Sequence, residues 1–228
     1  MEKSNSYIFI YSVVLVIIIA TLLSVASYSL KPAQQANIKI EKMQSILAVA
    51  QIEVSPSEAV EAFNSHVKEF FFIKKGTDQK LTPAEAGQPD TFNLNLGKEN
   101  IPMFEVENNG ESYFVVPMEG NGLWGAIWGY ISIDKADCNT VKGVVFDHAS
   151  ETAGLGAEIT KPKFRDQFKG KQIFEGDTFT SVEVVKGSAN GSNHGVDGIS
   201  GSTKTCNGVT EMLNKCLSGY TKYFQSLK

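Results

Sequence analysis

The hydrophobic positions nearest the N-terminus form one uninterrupted apolar segment. Residues 4–30 contain no charged side chain, and residues 7–30 are entirely Ile, Val, Leu, Phe, Ala, Tyr, Ser and Thr. As a helix, residues 7–30 would be about 36 Å long, enough to cross a hydrocarbon core of about 30 Å. The pattern therefore predicts a single transmembrane helix within residues 1–30.

A cleaved signal peptide is the alternative for this segment. Ser24-Val25-Ala26 places small residues at a plausible cleavage spacing. The apolar segment is long for a signal peptide, however, and its only preceding basic residue is Lys3. A retained membrane anchor is therefore the favoured interpretation.

Apolar residues continue at helical spacing beyond the anchor and predict a stalk helix within 31–54. They are Ile40, Met43, Ile46, Leu47 and Ala50. A domain is predicted over 55–228, and its first helix begins at Ser55-Pro56-Ser57-Glu58, which combines an N-cap serine, an early proline and a capping-box glutamate. The buried stripe of that helix is expected at Val60, Phe63, Val67 and Phe70.

Short β-branched and aromatic segments separated by turn residues predict most of the remaining domain. Residues 76–102 are expected to be mostly loop or sheet edge. Strands are predicted at 104–106, 112–116, 126–133, 141–146 and 178–185, with a short helix at 162–168. Apolar residues at three- and four-residue spacing from Val209 to Leu227 predict one C-terminal helix. The fold class is therefore α+β, a mainly antiparallel sheet flanked by helices.

The composition is that of a folded protein with one ordinary domain beyond the anchor. The chain has 228 residues, of which 42% are hydrophobic and 20% are charged. Its formal net charge is −4, without long basic runs, so no nucleic acid partner is expected. The three cysteines lack the paired short spacings of a metal site, so no metal is expected, and a disulfide between them is left open.

The segment Gly120 to Gly125 matches the G-x-G-x-x-G pattern of dinucleotide-binding folds. That motif requires a strand before it and a helix after it, whereas a strand pattern follows here. Glycines that let two backbones approach, with Trp124 packed nearby, explain the segment better. A loop facing a flavin is a further possibility.

The loop from His148 to Gly156 concentrates polar side chains and glycines after a predicted strand. It is either a solvated turn or a ligand-facing loop in which Glu151 and Thr152 point to the ligand while Gly154 and Gly156 admit it. The three histidines of the chain are scattered, and no arrangement typical of a hydrolase triad is present. No catalytic residue is therefore assigned.

Residues 186–201 carry five glycines. The end of this stretch overlaps the segment Asp197-Gly198-Ile199-Ser200-Gly201-Ser202-Thr203. This placement brings several hydroxyl groups to the start of the C-terminal helix, those of Ser200, Ser202, Thr203 and Thr205. Helix N-termini bind anions through unpaired N–H groups and the helix dipole, and glycines allow close approach. The loop is therefore a candidate phosphate site.

Together these segments resemble the NqrC family of the sodium-translocating NADH:quinone reductases, whose FMN-binding domain carries covalently attached FMN. The resemblance runs nearly end to end, through the single N-terminal span, Gln34-Gln35-Ala36-Asn37, Gly122-Leu123-Trp124-Gly125, the loop 151–156 and the loop 197–203. The family pattern is Asp, two residues, Ser or Thr, Gly, Ala, Thr, with FMN on the last Thr. Ser202 stands here in place of Ala, and Ala153 stands where Pro is common.

The resemblance implies a phosphoester between FMN and Thr203, and a role for Asp197 in the attachment. It also implies further cofactor-binding residues. Around the phosphate these are Ser200, Gly201, Ser202, Lys204 and Thr205; around the flavin ring they are Trp124, Glu151, Thr152, Leu155 and Gly156.

The resemblance further implies an electron-transfer subunit of a six-subunit complex and a flavin transferase that uses FAD during maturation. It places the chain in the bacterial inner membrane as a single-pass protein with a periplasmic domain. Counting Lys31, Lys39 and Lys42 against Lys3 favours the opposite orientation, but large domains often translocate regardless of such charges. Two alternatives are the G subunit of an Rnf-type ferredoxin:NAD oxidoreductase or another flavinylated extracytoplasmic carrier, and a membrane-anchored binding module without cofactor.

Overall fold

The computed structural model describes residues 4–92, 94, 96 and 99–228. The chain divides between Glu41 and Lys42 into two compact units. The start of the predicted span, 1–3, and four positions of the predicted loop over 76–102 lie outside the described residues. The proposed boundaries at residues 30 and 54 stay predictions.

The first element is α1, a helix from Asn5 to Val49. Among the described residues it is the one helix long and apolar enough, by length and composition, to cross a membrane. The residues predicted as a stalk helix are helical up to Val49, and they continue the first helix without a break at Pro32. A proline removes one backbone hydrogen bond, and the intact turns on both sides maintain the helix.

The second helix, α2, is shorter than predicted and spans Ala59–His66. Both the backbone N–H and the hydroxyl of Ser55 donate to the Glu58 carboxylate, but the N-cap of α2 is Glu58 and makes no side-chain capping bond, so the prediction of Ser55 as N-cap was wrong. Val67 and Phe70 were wrongly assigned to the helix: they lie in strand β1, Val67–Lys74, where Phe70 pairs with Phe104. Val60 is 47% exposed and not buried.

A six-stranded antiparallel sheet in the described part of the chain confirms the predicted α+β class. Its strand order is β2-β1-β3-β4-β5-β6. The bounds of the other five strands are Lys80–Leu81 for β2, Asn100–Asn108 for β3, Glu111–Asn121 for β4, Ala126–Asp134 for β5 and Val141–His148 for β6. The central strands are longer than predicted, because their polar ends carry no hydrophobic signal.

Helices cover both faces of this sheet. The C-terminal helices α4, Thr203–Ser218, and α5, Thr221–Leu227, share a core with Ile131 and Ile133 of β5. The intervening Ser132 points to the opposite face, where its hydroxyl donates to the carbonyl of Val49 at the end of α1. The sheet is thus the middle layer between the end of α1 and the pair α4 and α5.

The predicted single C-terminal helix is in fact two helices, although its start is close to the expected hydroxyl-bearing loop. Helix α4 begins at Thr203. Hydrophobic periodicity alone does not detect its first turn, because that turn is largely polar. The break falls at Gly219 and Tyr220. A Cβ at Gly219 would lie 2.6 Å from the Ile101 side chain, and the Tyr220 hydroxyl donates to the Pro102 carbonyl. Packing against β3 therefore ends α4.

The predicted strand over 178–185 was also wrong as a single strand. It consists of β8, Thr178–Phe179, which pairs with β7, Phe174–Glu175, and of β9, Glu183–Val185. Strand β9 pairs in parallel with β10, Gly195–Asp197. Ser181 between them adopts a positive φ of 63°, which turns the chain. The predicted short helix is present as α3, Pro162–Arg165, followed by a 3₁₀ turn over Asp166–Phe168.

Candidate functional site

The loop 198–202 joins the end of β10 to the start of α4. The N–H of Ser202 donates to the Ile199 carbonyl at 3.1 Å, which closes a tight turn, and Gly201 takes a positive φ of 78°. A Cβ at Gly201 would also lie 3.0 Å from Leu155 Cδ2. Glycine is therefore required here both by conformation and by the close approach of Leu155, which the resemblance placed near the flavin.

The four hydroxyl groups of this region differ in exposure. Ser200 and Thr203 are exposed, whereas Ser202 and Thr205 are only 4% and 1% exposed. Thr203 is the first residue of α4, and the N–H groups of a first helical turn have no partner within the helix. An anion bound at Thr203 would therefore meet free N–H groups and the positive end of the helix dipole. Lys204 is also exposed at this end.

Asp197 is the exposed last residue of β10. Its carboxylate accepts a hydrogen bond from the N–H of Ala189 at 2.6 Å, and its own N–H donates to the Gln167 side chain at 2.8 Å. These two bonds attach the beginning of the loop to the glycine-rich segment before it and to the turn after α3. The position of Asp197 is thus fixed from two sides.

Two adjoining cavities flank the loop, with volumes of about 460 Å³ and 560 Å³. Both are lined by Gly187, Gly198, Ile199 and Ser200. The first also contacts Thr203, Cys206 and Lys186; the second also contacts Asp197, Lys161 and Lys163. Sites for small molecules and cofactors usually have volumes of about 300–1,000 Å³, so each cavity has the size of such a site.

Glu151 lies beside the start of α4 and is 7% exposed. Its carboxylate accepts hydrogen bonds from the backbone N–H of Trp124 at 2.8 Å and from the Thr205 hydroxyl at 2.7 Å. Burial alone would raise the pKa of this carboxyl, but the hydrogen bonds from Trp124 and Thr205 outweigh burial and hold the pKa below its ordinary value. Glu151 is therefore a buried carboxylate in its ionised form.

Two glycines make room for the Glu151 carboxylate. A Cβ at Gly122 would lie 2.4 Å from Glu151 Oε1, and a Cβ at Gly156 would lie 2.2 Å from Oε2. Gly122 thus serves close packing, whereas Gly156, expected from the sequence to admit a ligand, instead makes room for Glu151. Thr152 of the same loop is exposed.

Large apolar side chains next to these loops are exposed. Trp124 is 65% exposed, Leu123 is 51% exposed and Leu155 is 41% exposed. The exposure of Trp124 is not a result of a loose loop, because its N–H is bonded to Glu151 and its carbonyl accepts from the Ser150 hydroxyl. The structure therefore presents an apolar surface beside the hydroxyl-bearing loop.

Sequence reasoning missed several residues of the two cavities, among them Lys161, Lys163, Lys186 and Cys206. The lysines belong to segments with no recognisable motif, so no local signal could have found them. Cys206 was interpreted as an apolar filler. It is buried, which raises the pKa of its thiol, and its sulfur also accepts the N–H of Ile199 at 3.4 Å. All three cysteines, each within the described ranges, are free thiols.

A family model for the FMN-binding domain matches residues 122–218. This range includes the Trp124 loop, the Glu151 loop, both cavities and all of α4, so the chain is an FMN-binding-domain protein. The match covers the whole candidate site and begins just after the end of β4.

Relatives matched over most of their length identify the family more closely. The chain is 32% identical over 212 residues to the C subunit of Na(+)-translocating NADH-quinone reductase from Vibrio vulnificus, covering 85% of this chain and 83% of the relative. It is 26% identical over 255 residues to the same protein of Pseudomonas aeruginosa, covering 100% of this chain and 97% of the relative. The chain belongs to this family, NqrC, whose members are subunits of the Na(+)-translocating NADH-quinone reductase, an oxidoreductase.

Solved structures agree with this assignment. The crystal structure of the C subunit of Na(+)-translocating NADH-quinone reductase from Parabacteroides distasonis superposes with a TM-score of 0.76 at 41% identity, over 86% of this chain and 96% of that one. The crystal structure of Shewanella oneidensis NqrC has a TM-score of 0.68 at 28% identity, over 83% of this chain and 97% of that one. The family resemblance expected from the sequence is confirmed.

Proposed function

We propose that this chain is an electron-transfer subunit of a Na(+)-translocating NADH-quinone reductase and carries FMN as a phosphoester on Thr203. The observation that carries the proposal is the position of Thr203, an exposed hydroxyl at the first residue of α4. The NqrC relatives, matched over 83% or more of their length, support the complex, and the FMN-binding domain supports the cofactor.

Burial separates Thr203 from the neighbouring hydroxyls. Ser202 is 4% exposed, and Thr205 is 1% exposed with its hydroxyl bonded to Glu151. Neither could be reached by an enzyme without opening the turn. Ser200 is exposed but lies three residues before the helix, away from the first-turn N–H groups. Thr203 alone combines exposure with an anion-stabilising position.

The residues around Thr203 fit an FMN group. The first-turn N–H groups and Lys204 would hold the phosphate, because both are donors at the positive end of the helix. The cavities beside Gly198 and Ser200 offer the volume for a planar ring, and Leu155 and Trp124 offer apolar contacts. FMN supplies the transfer of electrons when it is bound, and the protein supplies its placement and tuning.

Attachment requires one bond to form and one to break. The hydroxyl oxygen of Thr203 would bond to the phosphorus of the FMN half of FAD, the pyrophosphate P–O bond would break, and AMP would leave. A base of the flavin transferase would take the hydroxyl proton. Exposure of Thr203 and Asp197 on the same loop leaves both open to that enzyme.

The proposal includes a location and partners. Residues 1–30 would anchor the chain in the bacterial inner membrane, and residues 55–228 would form a periplasmic domain. Residues 31–54 would connect the anchor to that domain. The other subunits of the complex and the flavin transferase are the proposed partners. A covalent bond would retain the cofactor in a compartment without a flavin pool.

The test is to express the full chain with a flavin transferase and to locate the flavin. Denatured wild-type protein is expected to fluoresce on a gel under ultraviolet light, and peptide mass mapping is expected to place FMN on Thr203. The Thr203→Val variant should lose the fluorescent band, whereas the matched Ser202→Ala variant should keep it. A dark wild-type band would exclude the flavin, and a fluorescent Thr203→Val band would move the attachment site.

A further inference from the structure

We infer that Glu151 is a positioning residue for flavin attachment, which acts through Thr205 to hold the hydroxyl of Thr203 outward. The inference rests on the proposed attachment at Thr203. It gives Glu151 and Thr205 a task different from contact with the flavin, which the family resemblance implied for both.

The Glu151 carboxylate joins three separate segments of the chain. Oε1 accepts the N–H of Trp124 from the loop between β4 and β5, and Oε2 accepts the hydroxyl of Thr205 from the first turn of α4. Glu151 itself follows β6, and its backbone N–H donates to His148 Nδ1 at 3.2 Å. Glu151 thus links the start of α4 to the β4–β5 loop and to the segment that follows β6.

The space around this carboxylate is closed on both sides. Each oxygen accepts a hydrogen bond and also lies within 2.4 Å of the place where a Cβ on Gly122 or Gly156 would be. A flavin atom cannot enter the gap between Glu151 and Thr205 without displacing one of these glycine-bearing loops. The geometry therefore assigns the pair to the support of α4.

Helix geometry connects Thr205 to Thr203. At 3.6 residues per turn, two residues that are two positions apart lie about 200° apart around the helix axis. Thr205 is buried against Glu151, so Thr203 on the opposite side of the same turn is directed to solvent. Holding one hydroxyl inward consequently holds the other outward.

The first turn of α4 depends on this link because its usual cap is missing. Ser202 occupies the N-cap position, yet within the described residues it makes no side-chain capping bond. Its hydroxyl oxygen is buried and has no partner in that same part of the chain. A helix terminus without a cap frays, and the hydrogen bond from Thr205 to the buried Glu151 carboxylate opposes fraying here.

The test measures the rate of flavin attachment to the full chain by a flavin transferase, with FAD as donor, across a range of transferase concentrations. Thr205→Val removes the donor and should lower the rate at saturating transferase by about ten- to a hundred-fold, because a misplacement of about 1 Å in a reacting group can cost about a hundred-fold. The transferase concentration at half-saturation should not change, since Thr205 is buried and not part of the binding surface. Thr205→Ser restores the hydroxyl and should restore the rate.

Thr210→Val is the matched control on the same helix. The Thr210 hydroxyl accepts the N–H of Val184 and donates to the Cys206 carbonyl, so this variant also loses side-chain hydrogen bonds of α4. Thr210→Val should unfold at a lower urea concentration than the wild type, as Thr205→Val also should. Unlike Thr205→Val, it should be flavinylated at the wild-type rate. Glu151→Ala removes the acceptor of the Thr205 hydroxyl and should lower the rate as Thr205→Val does.

The outcomes separate this inference from the proposed function. A folded Thr205→Val variant with the wild-type rate would overturn the inference and leave attachment at Thr203 standing. An equal loss of rate in Thr205→Val and Thr210→Val would also overturn it, because general loosening of α4 would then be the cause. A wild-type chain without flavin on Thr203 would overturn the proposed function and the inference together.

Discussion

The hydroxyl of Thr205 donates to the carboxylate of Glu151 at 2.7 Å, across 54 positions of sequence. Both residues are buried, and Thr205 lies two residues after the exposed Thr203. Together with the bond from the Trp124 N–H, this contact fixes the start of α4 against the β4–β5 loop and the segment that follows β6. It therefore ties the chemistry of an exposed loop to the packing of the domain.

Gly156→Ala is expected to destabilise the domain and to slow flavin attachment. The new Cβ would lie 2.2 Å from Glu151 Oε2 and 2.7 Å from Thr205 Oγ1, so the carboxylate must move. Overpacking of this kind costs about 2 kcal/mol, measurable by urea unfolding. The nearby Gly154→Ala is the control: it has a positive φ of 76° but nothing within 4 Å, so it should lose only about 1 kcal/mol and keep its flavin. Equal flavin loss in both variants would contradict the prediction.

Gly208→Ala should destabilise α4 although alanine is the better helix former. The gain in helix propensity is about 1 kcal/mol. The Cβ, however, would lie 2.1 Å from the Asn121 carbonyl oxygen of β4, a backbone atom that cannot rotate away. A net loss of about 1 kcal/mol in unfolding free energy is expected. Asn207→Ala, at an exposed position of the same helix, should instead be neutral or slightly stabilising.

The stability that Glu151 contributes should depend on pH in the acid range. Its pKa in the folded protein lies below the ordinary value of 4.5, so the unfolded chain binds the proton more readily. The contribution is therefore fully present above pH 4.5 and is lost as the pH falls through the lower folded pKa. The stability difference between wild type and Glu151→Gln should shrink as urea unfolding is repeated at decreasing pH. A difference that grows toward acid would contradict the lowered pKa.

Ser202→Ala is expected to raise stability while leaving flavin attachment intact. The Ser202 hydroxyl oxygen is buried and, as far as the described residues extend, has no hydrogen-bond partner. Removing an unsatisfied buried hydroxyl gains about 1 kcal/mol. Urea unfolding checks the gain, and gel fluorescence checks the flavin. A loss of stability in this variant would show that the hydroxyl has a partner.

Asp197→Ala should lose most of the covalent flavin while the domain stays folded. The carboxylate contributes one bond to the Ala189 N–H, so unfolding should become easier by only about 1 kcal/mol. Attachment should fall much more, because the family pattern places this acidic residue in the modification motif. Intact-mass spectrometry after co-expression with the transferase measures the flavinylated fraction. Full occupancy in Asp197→Ala would refute the role.

Elements with periodic burial could be predicted from the sequence, and elements shaped by distant contacts could not. The strand at 126–133 was found because its β-branched and aromatic residues and the turn residues beside it are neighbours in sequence. The strand predicted at 178–185 was wrong, because the positive φ of Ser181 accompanies two bonds, from Thr180 and Ser181, to the Ile173 carbonyl. The β-branched composition of that segment does not predict this turn.

For the candidate site, residue chemistry along the chain was sufficient to propose a phosphate-binding loop, because glycines, hydroxyl groups and a helix start are adjacent in sequence. It was not sufficient to rank Ser202, Thr203 and Thr205 by physical accessibility. That ranking arises from burial against Glu151, a residue brought in from another loop. Local conformation follows from neighbours in sequence, whereas exposure depends on which distant segments pack above each side chain, and only the folded domain provides those.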